Sequence, residues 1–498
     1  MLSPLSTLKQ QLQSLGQLQG SLALIEWDQE TYLPSGASES RAAMIGNLSS
    51  RLHADVLALN NGKALTKLVK TYRGKHSEAA VIVNETWRSY ERSACLPGTF
   101  VERLAKTCAR AQHTWAEARH TNNFRLFAPH LEEIVKLKRE EARLVNPKEH
   151  PYNVLLDTYE PGLRIETLDP LFGELEQTLT DLLGRLQQSK KKKDVTLKGH
   201  FPLTQQQELN QKLAQTLGFN LGRGRLDAST HPFTTNFHPT DVRITTRYRE
   251  ADALYAIGST IHEVGHALYE QGLPIEHAYT PLAETVSLGI HESQSRLWEN
   301  MVGRSLTFWQ WFQPELARVF PKPFARLSAE DLWRHANRVS PSLIRTESDE
   351  VTYNLHIIVR YQLERALMEG ALAVKDLPKA WNTKMKTVLG IHVPEDRVGV
   401  LQDVHWSGGM IGYFPTYTLG NLYAAQFFAK AEKTIPRLEA SFRKGNFGHL
   451  LAWLRQEIHT QGKRYRADVL VRRVTGSPLS PKPFLNYLEQ KLAELYGI

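Results

Sequence analysis

The chain has 498 residues, 41% of them apolar, enough for one large catalytic unit or two to three domains. No apolar run reaches the ~18 residues of a transmembrane helix, and the net charge of +9 is not gathered into one arm. Its two cysteines, Cys95 and Cys108, exclude a disulfide framework and fit a reducing cytosol; the first residues lack the basic and apolar regions of a secretory signal.

Residues 1–200 read as mostly helix. Helical spacing of apolar residues runs from Leu5 to Leu15 and from Glu39 to His53, and a long charged amphipathic stretch runs from Val101 to Leu144. Between the first helices, the stretch Trp27 to Gly36 carries Pro34 and Gly36 and marks a turn. Pro147 to Gly162 reads as another connection bounded by Pro and Gly. Lys190 to Lys193 is read as a solvated surface loop. No aromatic interleaving accompanies it, so a nucleic-acid surface is not expected.

Residues 231–247 behave differently. In Asp241-Val242-Arg243-Ile244-Thr245-Thr246 apolar and polar residues alternate and most side chains are β-branched, which predicts a strand. From 250 onward helix dominates again, broken by turns at 271–281, 392–394 and 407–415. The expected architecture is one mainly α catalytic unit over 1–498. It has a helical lobe at 1–200, an active-site lobe at 201–498, and one small sheet beside the central helix.

That helix carries Ile261-His262-Glu263-Val264-Gly265-His266-Ala267-Leu268. Leu254, Ile257, Ile261, Val264 and Leu268 form one apolar stripe at three- and four-residue steps. His262 and His266 fall together, away from the stripe. Two imidazoles at i and i+4 can both reach one metal ion at about 2.0–2.1 Å. Glu263 points to the side of that pair, where it can take a proton from a metal-activated water. Gly265 inside the helix costs up to ~1 kcal/mol against Ala, which implies a close approach to the backbone there.

A catalytic zinc needs a third protein ligand. Tyr269 and Gly272 stand where a metzincin would place Gly and His, so that class is excluded. A Glu from the next helix is the alternative. Pro281-Leu282-Ala283-Glu284 is read as the opening of such a helix, and it offers Glu284 and Glu292, which lie 18 and 26 residues past His266. Spacing alone does not separate them.

Together with Gly289-Ile290-His291-Glu292-Ser293-Gln294-Ser295-Arg296, this motif resembles the thermostable metallocarboxypeptidase (carboxypeptidase Taq) family. Further matching stretches follow the same order: His231-Pro232-Phe233, Asp241 to Thr245, Ile344-Arg345-Thr346-Glu347-Ser348-Asp349, and Gly399 to Trp406. Trp27-Asp28 and His150-Pro151-Tyr152 fit as well, so the resemblance covers nearly the whole chain. Ser348 departs from the Ala more common in the family. The resemblance implies that Glu292 is the third ligand beside His262 and His266. It also implies a two-lobed helical zinc-peptidase fold of the gluzincin kind around a deep cleft, a homodimer, and one divalent ion per chain, zinc first and cobalt second.

Such an enzyme must stabilise an oxyanion, and neutral His or Tyr donors can contribute. His405 lies in Gln402-Asp403-Val404-His405-Trp406, with Tyr413 and Tyr417 following; the resemblance favours His405 and Tyr417. A free C-terminal carboxylate is read best by an Arg, whose planar fork pairs both oxygens. Arg243 and Arg345 are the candidates. Arg345 could equally form a plain helical ion pair with Asp349 at i+4, and the resemblance tips it toward the clamp. Arg243 is then placed on the strand beside the cleft, with His231 shaping the pocket for the last residue or capping a turn. The reading is a cytosolic metal-dependent carboxypeptidase that releases single residues from peptides with a free C-terminus, with no nucleic-acid or membrane partner. Its rivals are an endo-oligopeptidase or dipeptidyl carboxypeptidase of the same clan, and a non-catalytic peptide-binding protein.

Overall fold

The computed structural model describes residues 3–189, 195 and 197–498. The lysine run at 190–193 lies outside the described residues. Helices α1 (Pro4–Thr31), α2 (Ser38–Ala58), α3 (Ala64–Tyr72) and α4 (Glu78–Ala94) share a small core of their own, which includes Leu8, Leu65, Ile82 and Val83 and borrows Leu282 from far along the chain. Helix α1 starts where the chemistry asks: Pro4 sits in its first turn, and the Ser3 hydroxyl accepts from Ser6 N at 3.2 Å. It runs on through Trp27 to Thr31, so the expected turn is confined to the residues around Pro34.

Helices α5 (Gly98–His120), α6 (Phe124–Val145), α7 (Pro151–Tyr159), α8 (Ile165–Gln188) and α9 (Leu203–Leu217) join the large core. Two expectations are corrected here. The stretch read as continuous from Val101 to Leu144 is two helices. Asn122 takes a left-handed φ of 54°, and the Asn123 side chain caps the second helix by accepting from Arg125 N. The stretch read as a connection from Pro147 to Gly162 contains α7. Pro151 is its first residue rather than its breaker, and the His150 ring accepts from Tyr152 N at 3.2 Å.

Strands β1 (Gly224–Ala228), β2 (Thr234–His238) and β3 (Asp241–Thr246) form the one sheet among the described residues, in the order β1-β3-β2. β3 is parallel to β1 and antiparallel to β2. Val242 and Ile244 are buried, as alternation predicts. The sheet packs on α10 (Ala253–Glu270), which Asp252 caps by accepting from Tyr255 N at 3.1 Å. α11 (Leu288–Arg296) follows and runs straight into a π-helical stretch, Leu297–Gly303. Then come α12 (Leu306–Val319), α13 (Pro321–Phe324), α14 (Ala329–Ala336), α15 (Thr352–Glu369), α16 (Leu377–Leu389) and α17 (Pro415–Thr434), and further helices complete the chain. With 71% helix and one small sheet the protein is mainly α. Among the described residues no helix is long and apolar enough to cross a membrane.

The helix expected to open at Pro281 does not. Pro281–Ala283 is a single 3-10 turn, and α11 begins only at Leu288, where Ser287 caps it by accepting from Ile290 N. Ile257, Ile261, Val264 and Leu268 are buried as the predicted stripe. Gly265 lies where α11 comes closest. A Cβ there would sit 2.6 Å from both Gln294 O and Ser295 Cα, which are backbone atoms that cannot swing aside. Gly265→Ala is therefore expected to destabilise the fold by at least ~1–3 kcal/mol through overpacking and to lower activity by pushing α11 away. Thermal denaturation checks it, and an unchanged Tm would refute the close contact.

Candidate metal centre and active site

His262, His266 and Glu292 offer ligand atoms that all lie within 4.8 Å of one another. Each imidazole is held through its Nδ1. His262 Nδ1 meets the Glu299 carboxylate at 2.8 Å, and His266 Nδ1 meets the His291 carbonyl at 3.1 Å. Both partners are acceptors, so both Nδ1 atoms carry hydrogen and both Nε2 lone pairs are free to face the third donor. Glu292 Oε2 lies 3.3 Å from His266 Nε2 and 3.8 Å from His262 Nε2. Its other oxygen accepts from Arg296 Nε at 2.7 Å. Burial alone would raise the Glu292 carboxyl, but Arg296, His262 and His266 outweigh it and hold the group ionised. Burial and the neighbouring His291 push His266 down to about 3, so its imidazole is neutral. Burial opposes a proton on His262, but Glu292, Glu299 and Glu263 outweigh it and raise its affinity for one, so a metal bound there takes the place of that proton. Two imidazoles and one carboxylate, each oriented by a second group, fit a divalent transition metal such as zinc or cobalt.

Glu263 is buried on the same helix. The Thr234 hydroxyl of β2 donates to it at 2.6 Å, which fixes the carboxylate against the sheet. Burial raises its affinity for a proton, against the pull of His262 and of Thr234. A carboxylate shifted this way is a better base than an ordinary surface Glu.

Arg345 is buried in a short turn, Arg345–Glu347, so it is not part of a helix with Asp349. Asp349 instead caps α15, accepting from Val351 N and Thr352 N. The partner of Arg345 is Asp403, at 3.0 Å from its Nε. Its Nη1 donates to Tyr353 Oη at 3.1 Å, and its Nη2 has no hydrogen-bond partner among the described residues. Arg360 Nε reaches the other oxygen of Asp403 at 2.6 Å. His405 Nε2 lies 3.0 Å from Tyr417 Oη. Burial pushes His405 down to about 4, so its ring is neutral at working pH. Burial likewise raises Tyr417 well above the usual phenol range and Tyr413 to about 12, so both keep their protons.

Other candidates lie elsewhere. Glu284, one of the two possible third ligands by spacing, is exposed and pairs with Lys463. The Arg243 fork is bidentate to Asp241 on its own strand, 3.0 Å on each arm, and stacks on Trp27 and Phe237. His231 is exposed at the bend before β2, and its carbonyl accepts from Ser229 Oγ. Sequence reasoning assigned no role to Thr234, Glu299, Asp403 or Glu160. Glu299 had a faint signal: it stands seven residues past Glu292, two turns on, and the π-helical widening turns it toward His262.

The family model for the carboxypeptidase Taq (M32) metallopeptidases matches residues 7–492. The chain belongs to this family. Thermostable carboxypeptidase 1 of Thermus thermophilus is 46% identical over 487 residues, covering 95% of each chain. Carboxypeptidase 1 of Bacillus subtilis is 37% identical, covering 96% of this chain and 95% of that one. The structure of the M32 carboxypeptidase from Deinococcus radiodurans superposes with a TM-score of 0.96 at 38% identity, covering 99% of this chain and 100% of the other. Membership makes this protein a metal-dependent carboxypeptidase, a hydrolase of peptide bonds.

Helix α11 of this metallopeptidase is itself anchored by a buried acid. Glu160, just past α7, accepts from Gly289 N at 3.0 Å and from Tyr423 Oη of α17 at 3.0 Å. Burial pushes its carboxyl from 4.5 up to about 7, against the hydrogen bonds from Ser287, Gly289 and Tyr423. Between those two values the folded chain binds a proton that the unfolded chain has released, so this group's contribution to stability falls as pH rises. Glu160→Gln abolishes that titration. Wild type should therefore lose stability relative to the variant as pH rises from 4.5 to about 7, and hold level above that, read as the difference in Tm. A difference that stayed flat over that range would show that Glu160 is ionised throughout.

Proposed function

We propose that this chain removes single residues from the C-terminus of peptides, with His262, His266 and Glu292 holding one divalent ion, zinc or cobalt. Such an ion would supply Lewis acidity and bring the pKa of water toward neutrality. Glu263, held by Thr234, takes the proton of the attacking water and later delivers it to the leaving amine. His405 and Tyr417 are both neutral and bonded to each other, which spends one donor of the pair, and the other donates to the oxygen on which negative charge develops. Arg345 receives the substrate's terminal carboxylate on its remaining N–H groups. Arg243, its fork already bound to Asp241, and His231, exposed before β2, are left without a direct part in this reading.

The observation that carries this reading is the pairing of two elements: a convergent His/His/Glu cluster with an adjacent buried carboxylate, and a buried arginine with unspent donors. The same reading includes a homodimer, as the family resemblance implies, and a reducing compartment, which suits the free thiols of Cys95 and Cys108.

The ligand assignment is tested by elemental analysis. Glu292→Gln should lower metal content and activity together, whereas Glu284→Gln should leave both intact. The reverse pattern would refute the assignment. The direction of attack is tested with one peptide in free-acid and C-terminally amidated forms. Amidation removes a charge from a desolvated pair worth about 2–5 kcal/mol, so kcat/KM should fall at least ~30-fold. Arg345→Lys should erase most of that discrimination, because an ammonium lacks the planar fork. Equal rates on acid and amide would sink the single-residue reading in favour of an endopeptidase.

A further inference from the structure

Glu364 on α15 is fully buried, and three neutral donors converge on it. Tyr152 Oη of α7 donates at 2.8 Å, Trp406 Nε1 at 2.8 Å, and Gly412 N at 3.0 Å. No cation bonds to it among the described residues. Arg360, one turn away on the same helix, gives its donors to Asp403 and to the His356 carbonyl. The two contacts on the far side flank one loop: Trp406 follows His405, and Gly412 precedes Tyr413. That loop has little regular structure to hold its shape. Gly409 and Gly412 take left-handed φ angles of 72° and 90°, conformations that glycine keeps flexible and other residues avoid. Its interior is folded back by bonds from Gly408 N and Met410 N to the His405 carbonyl.

We propose that Glu364 is a positioning residue for the reaction: its carboxylate ties both ends of the loop to α15 and α7 and so sets the imidazole of His405 against Tyr417. The inference rests on the role given to His405 above. Three donors need an acceptor with several lone-pair sites, and the carboxylate form of Glu364 meets this condition without a donor of its own. Glutamine would keep the shape but turn an NH2 toward one of the donors. The carboxyl is pushed up to about 7 by burial, with Trp406, Tyr152, Gly412 and the Arg360 charge opposing, and the ring of Tyr159 is the other titratable group near it. A core carboxylate that is costly to ionise, and that has no ion-pair partner, is a poor device for stability alone.

The test is a cycle of Glu364→Gln, His405→Ala and the double variant in the metal-loaded enzyme, with kcat, KM, Tm and metal content measured for each. A displacement of about 1 Å in a reacting group can cost ~10²-fold in rate, so Glu364→Gln should lower kcat at least ~10-fold with KM changed less than ~3-fold. Tm and metal content should stay near wild type. In the His405→Ala background the same substitution should cost less than ~2-fold, because the group it positions is gone. Equal losses in both backgrounds, or a wild-type kcat in Glu364→Gln, would overturn the inference. His405→Ala with wild-type kcat would instead overturn the reading of His405 on which it rests. If Glu364→Gln fails to fold, Trp406→Phe removes one donor and leaves the carboxylate in place. It should then give the same fall in kcat and the same lack of additivity with His405→Ala, and additivity would refute the proposal.

Discussion

Everything at the centre depends on how closely α11 can lie against α10. The absence of a side chain at Gly265 lets the backbone of Gln294 and Ser295 come to the surface of the motif helix, and this brings Glu292 opposite His262 and His266. The other face of α11 is pressed as hard. Gly420 on α17 faces Glu292, and a Cβ at that glycine would lie 2.7 Å from Glu292 Cβ. The acid is gripped between two helices at positions where each has given up a side chain. Its location is therefore a property of backbone packing, and little is left to the freedom of its own rotamer.

Charges inside this packing come in chains. Arg296 bonds Glu292 and also reaches Glu299, and Glu299 takes a second arginine, Arg304, and the ring of His262. Every member is desolvated, and each removes the cost of the next. The π-helical turn at 297–303 is what allows Glu299 to take part, since it widens the helix just after α11. The Nε2 side of His262, which faces Glu292, is thus oriented from its opposite nitrogen.

Much of this was legible in the sequence, and what was missed has common physical causes. Periodicity exposed the motif helix and its buried stripe, and alternation located β3, because both patterns are local and set by burial on one face. The need for a close approach at Gly265 was also readable, from the cost of glycine inside a helix. Proline was misread at both Pro151 and Pro281, since the same residue opens a helix in one place and only a turn in the other; the outcome depends on the cap that precedes it. Local spacing gave Glu284 and Glu292 equal standing, and tertiary packing separates them. The partnership of Arg345 with Asp403 spans 58 residues, and no local pattern announces a contact of that range. Asp349 was the obvious neighbour by count and is spent on capping α15 instead.

The sharing of Asp403 between Arg345 and Arg360 has one more effect. Two guanidinium groups share one carboxylate, so their direct hydrogen-bond partners supply one negative charge fewer than the two positive charges they hold. In the proposed role of Arg345, the incoming peptide supplies the missing negative charge. So does the amino acid that has just been cut off, since cleavage leaves its carboxylate untouched. The feature that admits the substrate thus also retains the product, and release of the free amino acid competes with chemistry for control of turnover.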